Sequence, residues 1–127
     1  MAKILVVDDD ADLLEALKEV LEGKGYAVVT ALNGEEGYQK AREEHPDLML
    51  LDVMMTTEHE GFEVAKRLHE DPATQHLPVI LLTGIRKAKQ LPFAYEPDEE
   101  WLPVRAVVEK PVHPDVLLKK IESVLKA

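Results

Sequence analysis

The sequence predicts an α/β domain built on a doubly wound, five-stranded parallel sheet, and three observations carry that prediction. Four apolar runs, Ile4-Leu5-Val6-Val7, Leu48-Met49-Leu50-Leu51, Val79-Ile80-Leu81-Leu82 and Ala106-Val107-Val108, are short, rich in branched residues and unbroken. A strand open to water on one face alternates, so continuous runs read as strands covered on both faces. Segments of helical periodicity fill the gaps between the runs, and strand–helix alternation implies parallel strands joined by right-handed crossovers. The 127 residues lie just under the ~150 used as a soft prior for one domain, so residues 1–127 are expected to form a single unit. A two-domain enzyme is nearly excluded.

The elements follow in order. After the first run, Asp10 suits the N-cap of a helix over residues 11–22 whose apolar face is Leu13, Leu14, Leu17, Val20 and Leu21, with Gly23 and Gly25 as the stop. Tyr26-Ala27-Val28-Val29-Thr30 is a strand with polar ends and suits an edge. Asn33 caps a helix that runs to Glu44 and ends at His45-Pro46. The second apolar run is the next strand, and Phe62, Val64, Ala65 and Leu68 mark a third helix before the run at 79–82. Residues 84–109 carry Pro92, Pro97 and Pro103 without clean periodicity, so the helix due in fourth place is expected to be irregular, shortened or displaced. The run at 106–108 is the last strand. Val116, Leu117, Ile121, Val124 and Leu125 mark a last helix with Pro114 in its first turn.

Charge and composition narrow the function. Fifteen Lys and Arg against 25 Asp and Glu leave a net charge of −10, spread along the chain, which repels phosphate backbones and anionic bilayers. Direct nucleic-acid binding and membrane binding are not expected. The absence of cysteine removes disulfides, thiolate metal sites and cysteine nucleophiles and fits a reducing compartment. Only four strongly apolar residues precede Asp8-Asp9-Asp10, too few for a signal peptide or a membrane span, so a cytoplasmic protein beginning near Met1 is expected.

In a parallel α/β sheet the ligand site lies beyond the carboxyl ends of the strands. Here those ends carry Asp8-Asp9-Asp10, Asp52, Thr83 and Glu109-Lys110-Pro111. Carboxylates from neighbouring strand ends repel one another unless a cation sits among them, and Mg2+ takes one or two carboxylates while keeping waters and positions open to a phosphate. A lysine charge and a threonine hydroxyl beside such a metal suit the oxygens of a phosphoryl group.

At these residues the sequence resembles the receiver domains of two-component response regulators, the chemotaxis-regulator-like superfamily. Val7-Asp8-Asp9, Asp52-Val53-Met54-Met55, Gly61-Phe62-Glu63-Val64, Thr83 followed by Gly84, and Lys110-Pro111 match that pattern in order along essentially the whole chain. The resemblance implies a flavodoxin-like fold of strand order 2-1-3-4-5. It implies that Asp52 is the phosphoacceptor for the phosphohistidine of a histidine kinase or a histidine phosphotransfer protein. It also implies that Asp9 and Asp52 bind Mg2+ with the backbone carbonyl of Met54, that Asp8 acts mainly through water, and that Lys110 and Thr83 engage the phosphoryl group. Met54 and Ile85, two residues beyond the acceptor and the threonine, would flank the path of the hydrolytic water; neither orients water, so slow self-dephosphorylation is expected. A stand-alone switch or relay intermediate of this kind catalyses only its own phosphorylation and dephosphorylation and signals through separate effector proteins.

The chain departs from the family pattern at Thr56, where proline is common, in a stretch to Gly61 one residue longer than usual, at Val107, where an aromatic switch residue is usual, and in a longer segment between Thr83 and Lys110. That segment holds Phe93, Tyr95 and Trp101, which either serve a partner or cover the sheet. Three other functions compete. A metal-dependent phosphatase with an aspartate nucleophile would need a second aspartate where Met54 stands, a flavin carrier would need a phosphate loop where Asp8-Asp9-Asp10 repels anions, and a degenerate receiver would bind partners without phosphate. Asp10 reads as a helix cap, the five histidines as surface residues of turns and helix ends, and Glu35-Glu36 and Glu43-Glu44 as solvated faces.

Overall fold

The computed structural model describes residues 2–52, 60–84, 104–110 and 113–126. Five parallel strands, β1 (Lys3–Val7), β2 (Ala27–Ala31), β3 (Leu48–Asp52), β4 (Val79–Gly84) and β5 (Val104–Lys110), form one sheet in the order β2-β1-β3-β4-β5. The helices are α1 (Ala11–Gly23), α2 (Gly34–Glu44), α3 (Glu60–Glu70) and α4 (Pro114–Lys126). The helix expected in irregular or shortened form between β4 and β5 falls at residues outside those described.

The unbroken apolar runs are strands with two buried faces. Leu5, Val7, Met49, Leu51, Val79 and Leu81 point to one side and pack with Ala41 of α2 and Val64 and Leu68 of α3. Their neighbours Ile4, Val6, Leu48, Leu50, Ile80, Leu82 and Val108 point to the other side and pack with Leu14, Leu17 and Leu21 of α1 and Leu117 and Ile121 of α4. Alternation along the strand thus appears as membership of two cores instead of core and solvent, and burying such a side chain contributes about 1.5–3 kcal/mol. Val116, one of the apolar residues that mark the last helix, is 47 % exposed. The seam runs instead through Leu117 and Ile121, with Leu118, Val124 and Leu125 packed beside them, because residues three and four apart share one helix face and Val116 falls outside that stripe.

Caps fix where strands become helices. Asp10 and Asn33 are extended and their side chains accept from main-chain N–H groups of the first turns of α1 and α2. α2 stops at His45, which adopts the left-handed conformation (φ 48°, ψ 57°), before Pro46. β2 is the edge strand that its polar ends imply: Ala27 donates to Ala2 O and Ala31 O accepts from Asp8, so the intervening Thr30 turns its peptide away from β1. Lys40 Nζ donates to Thr30 O at 2.6 Å, placing a cation on the open edge, where it discourages pairing with another chain. Among the described residues no helix is long and apolar enough to cross a membrane.

Candidate functional site

β1 and β3 are adjacent, with Val7 paired to Leu51. Asp8 and Asp52, each one residue further on, therefore stand at the same level at the carboxyl end of the sheet, and both are buried. Asp9 follows on the turn and is exposed. One carboxylate oxygen from each of the three lies within 4.8 Å of the other two.

The turn between β1 and α1 holds Asp8 in place. Asp8 N donates to Ala31 O at 3.1 Å, extending the β1–β2 ladder by one step. Asp8 Oδ1 accepts from Asp10 N at 3.0 Å, and Asp10 Oδ1 accepts from Asp12 N and Leu13 N at 3.0 and 3.2 Å. A sequence reading that sees Asp10 only as a cap misses the hydrogen bond from its own N–H, which points back to Asp8.

Like charges ~4 Å apart repel by about 1 kcal/mol in bulk water and about 4 kcal/mol near a protein surface. Two of these carboxylates are removed from solvent, where their repulsion is screened little, and a cation placed among the three offsets it. The donor set fits Mg2+: hard oxygen ligands, few in number, with Asp9 exposed so that the metal would keep a side open to water or an incoming phosphate.

The remaining sequence-predicted residues are placed by the backbone. β4 lies beside β3 on the side away from β1, and its pairing with β5 sets Thr83 opposite Glu109 and Gly84 opposite Lys110. Thr83, next to last in β4, and Lys110, last in β5, thus lie at the carboxyl ends of neighbouring strands, the same end of the sheet as the aspartates. Val107 sits within β5, paired with Leu81. Met54, Ile85, Thr56, Phe93, Tyr95 and Trp101 lie outside the described residues. Of the histidines, His45, His76 and His113 are exposed, His69 is half-buried and His59 lies outside the described residues.

A second polar cluster, not visible in the sequence, ties α2 to α3. Tyr38 donates to Asp71 Oδ2 at 2.5 Å, Arg42 Nε lies 3.1 Å from the same oxygen, and the Arg67 guanidinium sits 4.1 Å from the Tyr38 ring centroid while bonding Glu35 at 2.8 Å. Glu35 is therefore an ion-pair partner and not only a solvated face. The Tyr38 hydroxyl, the Ala73 N–H and the Arg42 guanidinium hold the Asp71 carboxyl below its ordinary value. Sequence offers only a spacing of four, within Tyr38 and Arg42 and within Arg67 and Asp71, as a signal; that the two pairs meet is set by helix packing.

Residues 4–122 match the model of the response regulator receiver domain. The chain belongs to that family. Among relatives of this receiver, Protein PilH of Pseudomonas aeruginosa is 36 % identical over 128 residues, covering 98 % of each chain. The polar-differentiation response regulator DivK of Brucella ovis is 31 % identical over 125 residues, covering 96 % of this chain and 94 % of DivK. The crystal structure of a CheY-like receiver domain protein from Methanospirillum hungatei superposes with a TM-score of 0.79 at 30 % identity, covering 99 % of this chain and 94 % of that one. Receiver domains bind Mg2+ at an acidic pocket, and this receiver has such a pocket in Asp8, Asp9 and Asp52. Family membership places it in phosphoacceptor signalling by two-component systems.

Proposed function

We propose that this receiver accepts a phosphoryl group on Asp52 from the phosphohistidine of a histidine kinase or histidine phosphotransfer protein and passes the signal, as a switch or a phosphorelay intermediate, to a separate effector protein. The observation that supports it most is the convergence of Asp8, Asp9 and Asp52 within 4.8 Å, with Asp52 at the end of the central strand β3.

In this reading a carboxylate oxygen of Asp52 attacks phosphorus in line. The new P–O bond forms as the P–N bond breaks, the electron pair leaves with the imidazole nitrogen, and Asp52 becomes a mixed acyl phosphate. Asp9, Asp52 and the Met54 carbonyl would hold Mg2+ directly and Asp8 mainly through water, and the ion when bound offsets charge on the transferred oxygens. Lys110 would supply a cation and Thr83 a hydroxyl donor to the phosphoryl oxygens. Asp52 is restored by hydrolysis of the acyl phosphate, and neither Met54 nor Ile85 offers a group to orient the water. The protein in this account catalyses only its own phosphorylation and slow dephosphorylation.

Incubation with MgCl2 and acetyl phosphate followed by intact mass spectrometry tests the reading. One phosphoryl adduct is expected on the parent and none on a folded Asp52→Asn variant. Labelling that persists in Asp52→Asn would overturn the acceptor assignment, and no adduct on the folded parent would favour a binding module that works without phosphate.

A further inference from the structure

The turn between β1 and α1 gives one residue two attachments. Asp10 is extended (φ −91°, ψ 101°). Forward, its carboxylate takes two N–H groups of the first turn, from Asp12 and Leu13, and its carbonyl accepts from Leu14 N at 3.0 Å. Backward, its own N–H donates to Asp8 Oδ1 at 3.0 Å. The peptide that orients the Asp8 carboxylate is thus immobilised by the side chain of the residue that carries it.

We propose that Asp10 is a positioning residue for the metal pocket: by capping α1 it fixes the N–H that aims Asp8, and so it raises Mg2+ affinity without itself being a ligand. The inference rests on the Mg2+ reading of Asp8, Asp9 and Asp52. Its physical basis is preorganisation. A pocket whose carboxylates are held in place loses less freedom on taking up the ion, and groups that hydrogen-bond metal ligands typically contribute 10–100-fold to affinity. The dipole of the Asp10 N–H also opposes the mutual repulsion of the carboxylates, and that benefit depends on its direction.

The test is isothermal titration of the full chain with MgCl2 at constant ionic strength. Asp10→Ala, which removes the cap, is expected to weaken binding by about tenfold. Asp10→Ser and Asp10→Asn cap helices about as well as aspartate and are expected to restore most of the affinity, although both lack the charge. If Asp10→Ala folds poorly, Asp10→Gly removes the carboxylate at little cost to the helix and should bind as weakly as the alanine variant. Unchanged affinity in Asp10→Ala or Asp10→Gly would reduce Asp10 to a stabilising cap and overturn the proposal. An equal loss in Ser, Asn and Ala would make the effect one of charge and overturn it as well. Parent binding that disappears in Asp9→Asn keeps the metal reading intact whatever Asp10 does, whereas a parent that binds no Mg2+ overturns both.

Discussion

Gly37 of α2 packs directly on Val7 of β1: a Cβ added to Gly37 would fall 2.7 Å from Val7 Cγ2 and 3.0 Å from Val7 Cγ1. Both methyl groups stand in the way and Val7 is fully buried, so rotating the valine exchanges one clash for the other. Alanine favours a helix over glycine by about 1 kcal/mol, whereas overpacking a tight contact costs about 1–3 kcal/mol. The clash is expected to win, and Gly37→Ala should lower the urea midpoint by the equivalent of about 1 kcal/mol. Adding Val7→Ala should recover part of that loss as a favourable coupling in a double-mutant cycle. A Gly37→Ala protein as stable as the parent would show that α2 has room to move away from β1.

The end of α2 gives the opposite expectation. His45 is the one described non-glycine residue with positive φ, and the left-handed region costs an ordinary side chain about 1–2 kcal/mol. Glycine removes that strain but returns about 0.4–1 kcal/mol of freedom to the unfolded chain. His45 is exposed, so little packing is lost. His45→Gly is therefore expected to stabilise the fold by about 0.5–1 kcal/mol, read from denaturant unfolding. A destabilised variant would mean that the imidazole makes a compensating contact.

The α2–α3 cluster predicts a dependence on pH. Tyr38, Ala73 N–H and Arg42 hold the Asp71 carboxyl below its ordinary range, so the folded chain binds that proton less readily than the unfolded chain. The contribution to stability is present above the unfolded pKa and is lost as pH falls through the folded one. The Tyr38 hydroxyl is shifted upward, chiefly by its bond to Asp71, so its share lasts into alkaline solution. Tyr38→Phe keeps the ring under Arg67 and removes only the hydroxyl. Its melting temperature should fall less steeply than the parent's on acidification, because Asp71 moves back toward its ordinary value. Superimposable acid limbs for the two proteins would show that this bond does not couple to folding.

Legibility in the sequence followed the range of the interactions. The unbroken runs at 4–7, 48–51 and 79–82 became strands because each had to meet helices on both faces, and Asn33, Glu44 and His45-Pro46 bounded α2 because caps and stops are written within a few residues. Asp8, Asp9 and Asp52 were readable as a group because the topology of a parallel sheet brings successive strand ends to one edge. What escaped depends on helix rotation and close approach. The need for glycine at 37 is set by a methyl group on β1, and Tyr38 meets Asp71 across 33 positions of sequence, so neither leaves a local pattern. Val116 shows the same limit: apolar character placed it on the helix, but only the packed seam of α4 decided that it faces water.

The charge cluster predicts how metal and stability are linked. Asp8, Asp9 and Asp52 repel one another when no cation is bound, and Asp9 is the member of the three that is exposed. Asp9→Asn preserves shape and strands no buried polar group, so its dominant effect is to remove one of the repelling charges. Without Mg2+ the variant should melt above the parent. With Mg2+ at about 100 times the dissociation constant, a ligand specific to the folded state adds about 2.7 kcal/mol, so the parent should overtake the variant, whose weakened pocket gains little. Salt confuses the comparison unless it is controlled, because screening alone relieves part of the repulsion between charges that reach solvent. NaCl matched in ionic strength to the MgCl2 series separates the two effects: it should narrow the gap between variant and parent but not reverse their order. A metal-induced shift as large in Asp9→Asn as in the parent would remove Asp9 from the ligand set and leave Asp8 and Asp52 to hold the ion.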